Sequence, residues 1–127
     1  MIMNKIIHTE KAPAAIGPYS QAVQAGNMLF VSGQIPVDPA TGNFAGEDIT
    51  TQAHQSLTNV KSILEAAGYT LADVVKTTVL LDDMANFAAV NAVYAQYFTE
   101  NCPARACFAA KALPKGALGE IEAIAAK

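Results

Sequence analysis

The chain has 127 residues, of which 52% are hydrophobic and 15% charged, and its net charge is -3 at pH 7. This length indicates one domain spanning residues 1–127, with enough chain to bury a core. The acidic balance argues against nucleic-acid binding, which needs clustered Lys and Arg. The lack of a long apolar run or a secretory leader predicts a cytoplasmic protein without membrane contact.

The first half of the chain combines short strand patterns with turn residues. A stiff connector over 12–18, rich in Pro and Gly, delivers Tyr19 at its end. Gly26 and Asn27 favour a tight hairpin turn. Gly33 lets the backbone turn or approach a ligand closely, and it follows the second arm of that hairpin. Strands are predicted over 5–9, 20–25 and 28–32.

The second half alternates helices and strands. Apolar residues recur at helical spacing from Ile49 to Ala67, with Gly68 just past the end. The second helix, over 85–99, places Tyr94 on its buried stripe and Asn91 beside that stripe. The remaining strands are predicted over 73–81, 105–113 and 119–125.

This order of elements, ββ-β-α-β-α-ββ, predicts an α+β fold with one sheet of about six strands and two helices. Two helices cover only one face of such a sheet. The other face is expected to carry apolar or small residues, namely Met28, Phe30, Ala106, Ala110 and Ala123. Burying that face against copies of the chain predicts a closed homo-oligomer with sites at subunit boundaries.

Arg105 is the only arginine in the chain. Its planar fork of donors can grip a carboxylate through two parallel hydrogen bonds, which a lysine cannot do. In a strand, Arg105 and Cys107 point to the same face. The alternative is a surface arginine in an ordinary ion pair, and the small apolar neighbours together with the acidic strand at 119–125 favour the functional interpretation.

Six blocks follow one another along the chain, at 14–21, 31–36, 75–79, 90–91, 103–107 and 120–125. Together, in this order, they resemble the RidA (YjgF) family of reactive-intermediate deaminases. The resemblance implies a chorismate-mutase-like fold with two helices on one face of a mixed sheet, and a homotrimer with clefts between subunits. It also implies hydrolysis of 2-imino acids such as 2-iminopropanoate and 2-iminobutanoate to 2-oxo acids and ammonia, without a cofactor or a metal.

The resemblance also assigns roles within the cleft. It implies that Arg105 binds the substrate carboxylate and that Glu120 holds the attacking water. Ala106 replaces a residue that is often a hydroxyl in the family, and Gly119 replaces a branched one. The other cleft positions that it implies are Tyr19, Ser32, Gly33, Asn91 and Cys107, the last mainly through backbone contacts.

Three alternatives stay open at this point. Glu122 shares a strand face with Glu120, and the residues alone do not choose between them. Cys107 as a nucleophile would need a base such as His8 or His54. The rival functions for this chain are a regulatory trimer that binds small acids without hydrolysing them, and an RNA-cleaving or chaperone-like member of the family.

Overall fold

The computed structural model describes residues 4–127. Its order of helices and strands is the predicted one. The strands are β1 (Lys5–Ile7), β2 (Ala22–Ala25), β3 (Met28–Gln34), β4 (Val74–Leu81), β5 (Ala104–Ala109) and β6 (Gly119–Ala126), and the helices are α1 (Ile49–Ala66) and α2 (Phe87–Tyr97). Single 3₁₀ turns precede β4, α2 and β6.

The six strands form one mixed sheet in the order β1-β2-β3-β6-β4-β5. Only β4 and β5 pair in parallel, across the connection through α2, and all other pairs are antiparallel. The last strand, β6, lies between β3 and β4. As a result, β4 separates the strand that carries Arg105 from the strand that carries Glu120.

Both helices pack on the same face of the sheet and share one core. Helix α1 is capped by Asp48, whose carboxylate accepts a hydrogen bond from the Thr51 amide at 2.9 Å. Its apolar stripe, including Leu57 and Leu64, is fully buried against the sheet. Burial of one such side chain contributes about 1.5–3 kcal/mol.

Several strand ends lie one or two residues from the predicted ones, as for β1, which ends at Ile7 and not at residue 9, and two larger details of the sheet also differ from the prediction. Strand β5 ends at Ala109 instead of continuing to residue 113, because its partner β4 ends at Leu81 and the Ala110 amide makes the last hydrogen bond to the Leu81 carbonyl. Ala123 was expected on the uncovered face but is buried beneath the helices. Since side chains alternate along a strand, Glu120 and Glu122 take the uncovered face of β6 instead.

The uncovered face of the sheet keeps large apolar side chains in contact with solvent. Phe30 on β3 is 43% exposed and Phe108 on β5 is 51% exposed. Ala106 lies on this face too, opposite Thr78 of β4. Within residues 4–127 no helix is both long and apolar enough to cross a bilayer.

Candidate functional site

Arg105 lies on the helix-covered side of the edge strand β5, where it pairs with Thr77 of β4. Its Nη1 donates a hydrogen bond of 2.7 Å to Oδ1 of Asn91 on α2. The guanidinium carbon also lies 4.9 Å from the ring centre of Tyr94 and 5.6 Å from that of Phe87. Cation–π contact and one hydrogen bond to the Asn91 side-chain amide therefore hold the guanidinium, while most of its donors stay free to bind an acid.

The Tyr94 ring beneath Arg105 is itself held in place. Its hydroxyl shares a buried hydrogen bond of 2.7 Å with the Thr77 hydroxyl. Burial raises the pKa of Tyr94, and the Thr77 hydrogen bond and the Arg105 charge partly oppose this. Tyr94 therefore stays neutral at physiological pH and acts as a fixed platform for the guanidinium.

Cys107 faces the same side of β5 as Arg105, as its pairing with Val79 requires. Burial raises the pKa of the Cys107 thiol, and the Arg105 charge opposes the rise. The candidate base His54 has its Nδ1 2.9 Å from the Tyr97 hydroxyl instead. These contacts do not favour a thiolate nucleophile.

Glu120 lies on the opposite face of the sheet, next to a bulge in β3. Between Val31 and Gln34 the pairing with β6 shifts by one residue, so Gly33 comes to lie directly against the Glu120 side chain. A Cβ atom added to Gly33 would lie 2.9 Å from Cδ of Glu120 and closer still to Oε2. The carboxylate thus occupies the space that a side chain at position 33 would fill.

The surroundings of Glu120 favour a basic carboxylate. Burial raises the pKa of Glu120 above its ordinary value of 4.5, and the negative charge of Glu122 raises it further. A carboxylate with a raised pKa accepts a proton from water more readily than an exposed one does. Glu122 is exposed whereas Glu120 is partly buried, which favours Glu120 as the functional carboxylate of the pair.

Glu120 is one of the residues that line a cleft of about 470 Å³. Tyr19, half-exposed at the end of the connector, lies on one side of this cleft. The Ser32 hydroxyl donates a hydrogen bond of 2.6 Å to the Ser20 carbonyl, which ties the Tyr19 segment to the bulge. The cleft is lined by Ile16, Tyr19, Ser32, Gly33, Ile35, Pro114, Lys115, Glu120 and Glu122.

Arg105 does not line this cleft. Arg105 pairs with Thr77 and Glu120 pairs with Leu80, three residues farther along β4, so the two side chains leave opposite faces of the sheet. They are separated by roughly 10 Å across two strand spacings and about 10 Å along the strand. Within one chain the predicted site residues therefore fall into two separate groups, which we call half-sites. One half-site contains Arg105, Asn91 and Cys107, and the other contains Tyr19, Ser32, Gly33 and Glu120.

Sequence reasoning missed several residues that support these half-sites. Tyr94 was assigned to the buried stripe alone. Phe87 and Tyr94 lie four residues before and three residues after Asn91 on one helix face, and this spacing could have indicated a platform. Gln52 is buried in α1, accepts the Leu118 amide at 2.9 Å and thereby holds the chain just before β6. A glutamine among the apolar positions of α1 was the available signal.

The side chains of residues 4–127 include no group of three or more His, Cys, Asp or Glu arranged to hold a metal ion. The polar groups of both half-sites are instead a guanidinium, a carboxylate, hydroxyls and amides. Such groups bind and polarise a small organic acid and a water molecule.

Comparison with known proteins identifies relatives along nearly the whole chain. The model of the family described as endoribonuclease L-PSP matches residues 9–127. A RutC family protein of Pyrococcus horikoshii is 58% identical over 125 residues, which are 98% of this chain and 99% of that protein. A 2-iminobutanoate/2-iminopropanoate deaminase of Escherichia coli K12 is 55% identical over 128 residues, covering 98% and 99% of the two chains.

A solved structure shows the same fold. The crystal structure of E. coli TdcF with bound serine superposes with a TM-score of 0.93 at 49% identity, covering 97% of this chain and 98% of that one. The resemblance of the motif blocks, the family match and the shared fold all agree. The chain therefore belongs to the endoribonuclease L-PSP family, which includes the RidA/YjgF imine deaminases.

Proposed function

We propose that this protein hydrolyses small 2-imino acids, such as 2-iminopropanoate and 2-iminobutanoate, to 2-oxo acids and ammonia. The observation that carries the proposal is the Glu120 carboxylate, partly buried against bare Gly33 backbone at the wall of an open cleft. Relatives about 55% identical are named as deaminases of these two substrates. The relative TdcF was crystallised with serine, a small amino acid with the same carboxylate end.

The chemistry needs few groups, because a protonated imine is already electrophilic. Arg105 binds the substrate carboxylate through its free donors, and Glu120 takes a proton from a water molecule that attacks the imine carbon. The tetrahedral adduct then carries a hydroxyl and an amino group on that carbon. Glu120 returns the proton to the nitrogen, which becomes the leaving group. As the C–N bond breaks, the hydroxyl oxygen forms the carbonyl of the 2-oxo acid and gives its proton to Glu120, which passes it to the departing ammonia.

A complete site in this proposal needs two copies of the chain, because Arg105 and Glu120 leave opposite faces of one sheet. A homotrimer with a cleft at each subunit boundary satisfies this requirement and also covers the exposed Phe30 and Phe108. The apolar side chains on that face support burial between copies.

The activity is tested by generating 2-aminoacrylate from serine with a dehydratase and following pyruvate release with and without the protein. Acceleration by the wild type and loss of at least about a hundredfold in Glu120→Gln are expected, since a general base contributes about that factor. Glu122→Gln is the matched control on the same strand face and should keep most of the activity. A wild type that binds small acids without accelerating pyruvate release would be a regulatory binding protein instead.

The shared site is tested by mixing two inactive variants. Arg105→Ala and Glu120→Gln chains, co-expressed and assembled at random in a cyclic trimer, should restore activity at about a quarter of the boundaries, because that fraction combines one intact residue from each chain. No recovery in mixed trimers would mean that the two residues do not act at a common boundary. Light scattering of the wild type measures the number of copies directly.

The ribonuclease activity in the family description is a second outcome that can be measured. A net charge of -3 and two glutamates in the cleft disfavour the approach of a phosphate backbone. We therefore expect no cleavage of single-stranded RNA at protein concentrations that saturate imine hydrolysis.

A further inference from the structure

A second hollow adjoins the Glu120 cleft and shares part of its lining. We call it the connector pocket, since it lies between the connector residues Pro13 and Ala14 and the loop residues Val37, Pro39 and Gly42. Its volume is about 280 Å³. Tyr19, Gly33 and Ile35 line both the connector pocket and the cleft, so the two hollows adjoin at Gly33, the residue against which the Glu120 side chain packs.

Both walls of the connector pocket are anchored to the core by buried amides. The Gln21 side chain accepts the Thr9 amide at 2.7 Å and donates to the Pro13 carbonyl at 2.8 Å, which holds the connector. Asn59 of α1 donates to the Val37 carbonyl at 2.9 Å, which holds the opposite loop. Gln21 and Asn59 are both buried, so the pocket is formed before any ligand binds.

The lining of the connector pocket is mainly aliphatic. The side chains that line only the connector pocket are those of Pro13, Ala14, Val37 and Pro39 together with the amide of Gln34, and none of them carries a charge. The one charged residue of the lining is Lys115, which is exposed, has a left-handed φ of 57° and is shared with the cleft. An apolar group fits this surface better than a second acid does.

We infer that the connector pocket receives the side chain of the imino acid and that it selects aliphatic side chains longer than ethyl. This inference rests on the proposed function, because it places the reacting carbon beside Glu120. A methyl group fills about as much space as a water molecule, about 30 Å³, and would leave most of the pocket empty. A branched four-carbon side chain would remove more apolar surface from water at the same position of the carboxylate.

Equilibrium binding of two stable 2-oxo acids tests the pocket without depending on turnover. Titration calorimetry should show 4-methyl-2-oxopentanoate binding to the wild type at least about tenfold more tightly than pyruvate, since each added carbon is worth about 0.8 kcal/mol when buried. Ala14→Leu fills the pocket from an exposed position and should abolish this preference, with pyruvate affinity changed less than about twofold. Ala72→Leu is the matched control, because Ala72 is also exposed and lines neither hollow.

Kinetics separate a failure of the pocket from a failure of the proposed activity. Imines made from alanine and leucine by one amino-acid oxidase should both be hydrolysed by the wild type, and Ala14→Leu should reduce kcat/KM only for the leucine imine. Equal binding of the two acids, no binding of either, or an Ala14→Leu effect that is the same for both would overturn the inference. Binding with the expected preference but no hydrolysis of either imine would overturn the proposed activity and leave the pocket standing.

Discussion

Gly33→Ala tests the contact between the β3 bulge and the Glu120 carboxylate. The new Cβ atom would lie 2.9 Å from Cδ of Glu120, whereas ordinary contacts begin near 3.4 Å, so the carboxylate must move. The required shift at the oxygen is about 1 Å, and a displacement of that size in a catalytic group costs about a hundredfold in rate. We therefore expect kcat for 2-iminopropanoate to fall by about a hundredfold.

The fold should tolerate this substitution. Gly33 is not among the glycines with positive φ, so alanine can adopt its backbone conformation, and the clashing group is the end of a flexible side chain. Unfolding in urea should show a free energy unchanged or raised by about 0.4–1 kcal/mol, because alanine reduces the entropy of the unfolded chain.

Gly119→Ala is the matched control, since Gly119 is next to Glu120 in sequence but its added Cβ meets only the Leu80 carbonyl at 3.4 Å and aliphatic carbons beyond that distance. It should keep normal turnover. A Gly33→Ala enzyme with wild-type kcat and an unmoved Glu120 in its crystal structure would refute this account of the site.

Three further predictions concern the remaining groups of the two half-sites. Arg105→Lys keeps the charge but loses the bidentate hydrogen bonding and the guanidinium contact with the Tyr94 ring, so kcat/KM should fall by about a hundredfold while the thermal midpoint is maintained. Near-normal turnover would count against a role for Arg105 in binding the substrate carboxylate. In the proposed mechanism Glu120 acts when deprotonated and its pKa is raised, so activity should fall as the pH drops through a value above 4.5. Glu122→Gln should move this acid limb of the pH–rate profile to lower pH, because it removes a like charge. A profile without that shift would show that Glu122 does not influence the pKa of Glu120. Gln52→Leu leaves the Leu118 amide without its partner and should lower the free energy of unfolding by about 1–3 kcal/mol, whereas an unchanged urea midpoint would show that water replaces the bond.

Most of the fold was predictable because it depends on local patterns. The spacing of Leu57, Val60 and Leu64 on α1 and the Gly26–Asn27 turn require only neighbours in the chain, and both predictions are confirmed. The end of β5 was not predictable, because pairing stops where a distant strand stops, at Leu81. The face of Ala123 was missed for a similar reason, since a shift of one residue exchanges the two faces of a strand.

The sequence by itself predicted which residues carry the chemistry, because a lone arginine and a glutamate within recognisable blocks indicate candidate functional groups whatever their positions in space. Only the tertiary structure decided how they are arranged, since β6 enters the sheet between β3 and β4 and sends Arg105 and Glu120 to opposite faces. It also decided that Gly33 contacts Glu120, through a bulge set by pairing between segments almost ninety residues apart. Such long-range pairing follows from the packing of the whole sheet, which no local stretch of residues encodes.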